Sequence, residues 1–112
     1  MSWTIDFTGN SGSGYRYWNI DLRVETLQSV PGNYAFLKQT ASNSYIPLYF
    51  GQADNLSDRL RNHERWPDAV RAGATVIVAH TTPAGESARL SGKRDLIVRW
   101  NPPLNVHHRT TG

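Results

Sequence analysis

The stretch from residue 45 to residue 56 constrains the fold more than any other. Tyr45-Ile46-Pro47-Leu48-Tyr49-Phe50 runs as a strand into Gly51, and Asn55-Leu56 opens a helix shortly after. Asp54 or Asn55 can accept from the first free helix N–H groups, and Asp58 favours the positive helix end. Just upstream, residues 33–38 alternate, with Tyr34 and Phe36 on one face and Ala35 and Leu37 on the other. Polar residues 39–44 join the two runs by a connection a little longer than a tight two-residue hairpin. Pro47 marks an edge strand or a bulge, because proline cannot donate to a ladder. An antiparallel pair feeding a helix is therefore expected here.

The remaining elements follow from the same signals. Leu56 and Leu60 are spaced i, i+4 and face a core, while Arg59 and His63 share that spacing on another face. Trp66-Pro67 restarts a short helix over residues 68–72. Residues 75–80, Thr-Val-Ile-Val-Ala-His, are β-branched and apolar, which predicts the central, most buried strand. Thr81-Thr82-Pro83 should cap a last helix over residues 84–100, ended by Pro102-Pro103. Before all this lie a short N-terminal strand, a Gly/Ser/Thr/Asn loop over residues 8–14 and an irregular strand over residues 15–24. The fold class is α+β, with 1–30 an N-terminal extension, 31–105 the domain and 106–112 a polar tail.

Composition narrows the function classes. The 112 residues suffice for one domain with a modest core. No apolar run reaches the ~20 residues of a membrane span, and residues 1–6 do not read as a secretory signal. There is no cysteine, so no disulfide or thiolate metal site is available; a cytoplasmic protein is the expectation. Net charge is +3, and eight of the twelve basic residues fall in two segments. These are Arg59, Arg61, Arg65 and Arg71, then Arg89, Lys93, Arg94 and Arg99. Such clusters suit a polyanion such as DNA, and equally suit two solvated helix faces.

Several side chains carry possible chemistry. Tyr34 and Tyr49 sit on neighbouring strands and can share a face, as a base-side pair or as tyrosines at the rim of a core. A phenol of pKa near ~10 needs a nearby cation to act as a base. Arg59 presents a planar fork that matches phosphate oxygens, and it also suits a pair with a neighbouring acid. His63, one turn on, is a candidate phosphate or tyrosine partner, or merely structural. His80 ends the buried strand and reads as a core-edge residue. His107 and His108 lie in the tail. Trp66 and Trp100 are expected to pack the helices.

Taken in order, Gly32-Asn33-Tyr34, Leu48-Tyr49-Phe50-Gly51, Asn55-Leu56, Arg59-Leu60, His63, Leu96-Ile97, Pro102 or Pro103 and Asn105 resemble the GIY-YIG endonuclease family. The resemblance covers residues 31–105. No single piece is specific, but the ordered set is. It implies a small three-stranded antiparallel sheet flanked by helices. It also implies hydrolysis of a DNA phosphodiester with Mg²⁺ or Mn²⁺. Under it, Tyr34 or Tyr49 is the base-side residue, Arg59 clamps the phosphate, His63 assists, and Gly51 and Asn105 support the site. Arg61, Arg65, Lys93 and Arg94 become candidate DNA contacts. DNA is the expected partner, no membrane is involved, and a protein that supplies specificity has a place beside so small a domain.

One position departs from the family. Counting back from Leu96 and from Asn105 leads to Lys93 where the family has its metal-binding glutamate. An ammonium cannot ligate Mg²⁺, which takes oxygen ligands. Glu86 lies two helical turns upstream on the same face, ~10 Å away along the axis, and is the only substitute ligand on that face. Asp95 is rotated by ~200° and points elsewhere. Two functions stay open: an endonuclease, catalytically impaired or using Glu86, and a non-catalytic DNA-binding module on a degenerate nuclease fold. An unrelated interaction domain is a third and weaker reading.

Overall fold

The computed structural model describes residues 3–20 and 29–105. Strands β1 (Thr4–Thr8) and β2 (Gly14–Ile20) form a hairpin. β3 (Gly32–Ala41) and β4 (Ser44–Ala53) form the second antiparallel pair. Helices α1 (Leu56–Arg61) and α2 (Trp66–Arg71) follow, then β5 (Val76–Thr81) and α3 (Glu86–Trp100). The five strands make one sheet in the order β1-β2-β5-β3-β4.

The expected three-stranded sheet is present as β4-β3-β5, and β5 lies between β3 and β2 as a central strand. The difference is at the other edge. β5 leaves its second side open, and the N-terminal hairpin fills it through Trp18, Asn19 and Ile20 opposite Ala79, Val78 and Ile77. The extension therefore adds two strands to the sheet.

Both faces of β3 are buried, which explains its near-continuous apolar run. One core holds Tyr34, Phe36, Leu48 and Ile77 under Leu56, Leu60 and Ala69 of the two short helices. The other holds Ala35, Leu37, Phe50 and Val78 against Leu96 and Ile97 of α3, with Phe7 and Tyr17 from the hairpin. Trp66 packs on Phe36 at 5.1 Å and Trp100 on Phe7 at 5.5 Å, so both indoles pack helices onto the sheet as expected.

Several boundaries differ from the sequence expectations. The β3–β4 connection is tighter, with Ala41 already opposite Ser44 and Asn43 at a φ of 61°. Asparagine tolerates this left-handed backbone better than most residues. Pro47 lies on an edge strand beside a register shift, where Phe36 faces Tyr49 but Leu37 faces Pro47, leaving Leu48 as the extra residue. Asn55, not Asp54, caps α1 by accepting from the Asp58 N–H at 3.1 Å. Helix α2 begins at Trp66, because Pro67 fits the first turn, where its missing N–H costs nothing. Helix α3 begins at Glu86 behind Gly85, whose φ of 105° suits glycine, and Thr81-Thr82-Pro83 do not cap it. Residues 21–24 of the second predicted strand and the tail with His107 and His108 lie outside the described residues. No described helix is long and apolar enough to cross a membrane.

Candidate functional site

The register of β3 and β4 places Tyr34 opposite Gly51. A Cβ at Gly51 would run into the Tyr34 ring, so only glycine lets the phenol lie flat over the edge strand. Tyr34, Tyr49 and His63 then gather on the α1 face. Ring centroids are 6.2 Å apart for the tyrosines, and His63 lies 5.3 Å from each tyrosine, edge-on.

His63 is held at both nitrogens. Its Nδ1 accepts from the backbone N–H of Arg65 at 3.0 Å, which assigns the ring proton to Nε2. Nε2–H therefore donates to the Tyr34 hydroxyl oxygen, 2.5 Å away. Burial, followed by the Arg59 charge, pushes the His63 pKa down to about 4. A second proton would also have to point at the Arg65 N–H. His63 is thus a neutral donor that positions Tyr34, and it does not take the Tyr34 proton.

Tyr34 is buried, and burial raises its pKa above the ordinary phenol value, with Tyr49 adding to the rise. The Arg59 guanidinium acts in the opposite direction but does not win. At neutral pH the side chain is a phenol, so it offers a hydroxyl and not a ready base.

Arg59 leaves α1 beside Tyr34 and is engaged by Glu64 at two points, Nη1–Oε2 at 2.6 Å and Nη2–Oε1 at 3.1 Å. The Glu64 hydrogen bond is the largest cause of a raised Arg59 pKa, and it draws the Glu64 carboxyl down to about 2. Glu64 is exposed and occupies the fork that a phosphate would use. A ligand must displace this carboxylate or bind the opposite edge of the guanidinium.

Helix α3 supplies the other wall. Lys93 is buried on its sheet-facing side, and burial, then Arg94, then Arg59, lower its pKa. Arg89, one turn before, is also buried and donates through Nε to Gln52 Oε1 at 2.9 Å. Its backbone carbonyl accepts from the Asn33 side chain at 3.0 Å, while Asn33 Oδ1 accepts from Thr82 at 2.7 Å. Asn33, which faces away from Tyr34, thus ties β3 to α3. Asn105 is buried behind the strand and pairs with Phe50 twice, accepting from its N–H and donating to its C=O, both at 2.9 Å. It braces the edge strand next to Gly51.

The structure thus brings together Tyr34, Tyr49, Arg59 and His63, with Gly51 beneath Tyr34 and Lys93 within electrostatic reach of Arg59. Glu86 is the exposed first residue of α3 and lines a cleft of about 630 Å³ with Arg59 and Arg89. Asp95 does point elsewhere, receiving Ser11 and Tyr15 at 2.6–2.8 Å and latching the 9–13 loop to α3. Arg61 and Arg94 are exposed. Arg61 leans on Ser57 at 3.1 Å, and Arg65 pairs with Asp68 at 3.2 Å. His80 sits at the sheet edge of the core, 4.5 Å from the Tyr17 ring. Sequence reasoning counted Arg89 only as part of a basic cluster and passed over Gln52 and Glu64. Arg89 had a legible signal, since it stands four residues before Lys93 on one helix face.

The fold is α+β: an antiparallel sheet with α1 and α2 on one face, α3 on the other, and two tyrosines beside a helix arginine. Solved structures show the same architecture. The GIY-YIG N-terminal endonuclease domain of UvrC from Thermotoga maritima, bound to its catalytic divalent cation, magnesium, matches at a TM-score of 0.57 and 24% identity. The match covers 73% of this chain and 92% of that one. Two Tyr→Phe point mutants of the same domain, bound to the catalytic divalent cation, match at TM-score 0.57, with 24% and 23% identity; each match covers 73% of this chain and 91% of that one. No protein-family model matches, and no curated protein matches. The chain has the GIY-YIG endonuclease fold.

Proposed function

We propose that this chain is a GIY-YIG-type DNA endonuclease domain that grips a phosphodiester but is impaired in hydrolysing it. The likeness to an endonuclease domain solved with its catalytic divalent cation supports DNA as the ligand. The buried Lys93, in place of a carboxylate and facing Arg59, carries the impairment.

The residues present do not fit a divalent cation. Lys93 and Arg59 are both cationic, and an ion between them would be repelled. Among the described residues no group of three His, Cys, Asp or Glu side chains could hold a metal. Glu86 is exposed at the start of α3, and Arg89 stands between it and Lys93. The Mg²⁺ or Mn²⁺ that the family resemblance implies therefore has no ligand set in this site.

What remains suits binding. Lys93 and Arg59 supply two positive charges, and the Tyr34 hydroxyl supplies a donor held in place by His63 Nε2–H, with Gly51 making room for its ring. Burial keeps the proton on the Tyr34 phenol and His63 donates to it, so neither serves as a base toward water. A specificity-supplying protein partner is compatible with so small a surface.

The test is a nicking assay on plasmid and branched DNA with Mg²⁺ or Mn²⁺, beside a binding assay without metal. Wild type is expected to bind in a salt-sensitive way and to cut weakly or not at all. Arg59→Ala should lose binding, and Lys93→Glu should gain metal-dependent cutting. Robust cutting by wild type that survives in Glu86→Gln would overturn the impairment. Wild-type cutting lost in Glu86→Gln would instead establish Glu86 as a ligand.

A further inference from the structure

The cleft beside the Tyr34 site carries a second arginine. It opens between the end of β4, the first turn of α1 and the first turn of α3, where Arg59 and Arg89 stand among Gln52, Asp54, Asp58 and Glu86. Its volume of about 630 Å³ is in the range of sites that take a nucleotide-sized ligand. Arg59 belongs to both places, since it acts on the Tyr34 phenol and borders the cleft. The two are therefore one continuous surface.

Arg89 is built into that surface. It is buried, its helix is tied to β3 through Asn33, and its Nε–H is taken up by Gln52. No carboxylate among the described residues forms a salt bridge with it, whereas Arg59 has Glu64. Placing a guanidinium at so low an exposure without a paired acid is costly, and a ligand anion is the counter-charge that would offset it. Gln52 fixes the plane of the guanidinium by holding its Nε edge, and the guanidinium borders the cleft. Three acids, Asp54, Asp58 and Glu86, share the lining and would repel a free anion, so an anion held by Arg89 needs the other contacts of a larger ligand.

We infer that Arg89, positioned by Gln52, binds the backbone phosphate adjoining the one at Tyr34, Arg59 and Lys93, so that Arg59 and Arg89 straddle one nucleotide of a DNA strand. The inference rests on the preceding reading that the Tyr34 site takes a DNA phosphodiester. Arg89 is then a contact residue and Gln52 a positioning residue.

The experiment measures DNA affinity against salt by fluorescence anisotropy with a labelled duplex and no metal, for the full chain. Each neutralised phosphate contributes about −0.9 to the slope of log affinity on log salt. Arg89→Gln is expected to weaken binding several-fold and to lessen the slope by about one. Arg89→Lys should keep the slope and recover only part of the affinity, because the charge remains and the fork is lost. Gln52→Met should lower affinity with the slope unchanged, and Glu86→Gln should raise affinity. A merely structural role for Arg89 would move none of the slopes. As a readout independent of folding in the variants, the Arg89 Nε–H resonance of the wild-type chain should shift when duplex is added. A folded Arg89→Gln protein with the wild-type slope, or an unmoved resonance, overturns this inference alone, since loss of binding in Arg59→Ala would leave the preceding reading standing. Absence of salt-dependent binding by wild type overturns the preceding reading and this one together.

Discussion

At the scale of single residues, His63 shows how a hydrogen bond decides chemistry that residue type leaves open. The sequence allowed it to be a phosphate ligand, a partner that orients the tyrosine or a merely structural residue. The Arg65 N–H on Nδ1 makes it a donor to Tyr34. This has a consequence for stability. In the unfolded chain the imidazole takes its proton near 6.5, while in the folded site it resists down to about 4. Between those values the unfolded state binds more protons, so stability present at pH 7 is lost as the pH falls through this window. The loss attributable to His63 is about 2 kcal/mol. Urea midpoints of wild type and His63→Gln at pH 7 and pH 4.5 check it: the wild type should lose more on acidification. Equal losses would mean that His63 does not hold its neutral form in the fold. Comparing the two proteins matters, because burial lowers the pKa of His80 as well. The tautomer follows only from a folded-state contact at Nδ1. Lys93 differs, since counting from two separate landmarks marked its position as the one where the family has its glutamate, and the structure adds that it is buried.

At the scale of elements, the edge strand β4 is the part of the site that needs support. An edge strand has one row of unpaired backbone groups and is prone to open. Asn105 covers Phe50 on that side with a donor and an acceptor at 2.9 Å each. Replacing it with alanine leaves a buried N–H and C=O without partners, a cost of about 2–4 kcal/mol. Thermal unfolding of Asn105→Ala should show that loss, and amide exchange at Phe50 should accelerate beyond the global change. A shift in melting without extra exchange at Phe50 would assign Asn105 to general packing. A brace was expected from its position after Pro-Pro-Leu, but to a helix end or the helix of the site; the structure ties it to the backbone of β4 instead. The elements that misread share a cause. Helix α3 was expected two residues early, since Thr81-Thr82 look like caps, but Thr82 is taken by Asn33 and its N–H by Pro31. A competing long-range partner is invisible to local capping rules. The tight β3–β4 turn was missed for a related reason: pairing of Ala41 with Ser44 extends both strands into residues whose polarity suggested a loop.

At the scale of the whole molecule, the hairpin is the largest departure from the sequence expectation. Residues 1–30 were assigned to an extension lying on a domain of residues 31–105, yet Phe7 and Tyr17 stand in the same core as Phe50 and Leu96. The sheet curls, so strands at its opposite ends meet through side chains. Phe7 lies 5.5 Å from Phe50, and Trp3 stacks on Tyr45 at 5.1 Å. A linear reading could not find this, because strand curl depends on packing on both faces. Phe50 is also the residue that Asn105 grips, and its neighbour Gly51 underlies Tyr34. The hairpin therefore supports the site strand from its far side. Removing the Phe7 ring should cost about 3 kcal/mol or more, the usual penalty for truncating a buried phenylalanine. Urea denaturation of Phe7→Ala measures it, and anisotropy on the folded protein at low temperature should find DNA affinity nearly unchanged, since Phe7 borders no part of the cleft. A loss under about 1 kcal/mol, the range of a surface change, would make the hairpin an appended flap. A full loss with intact affinity would make it one cooperative body with the domain, whose stability and ligand contacts reside in different residues.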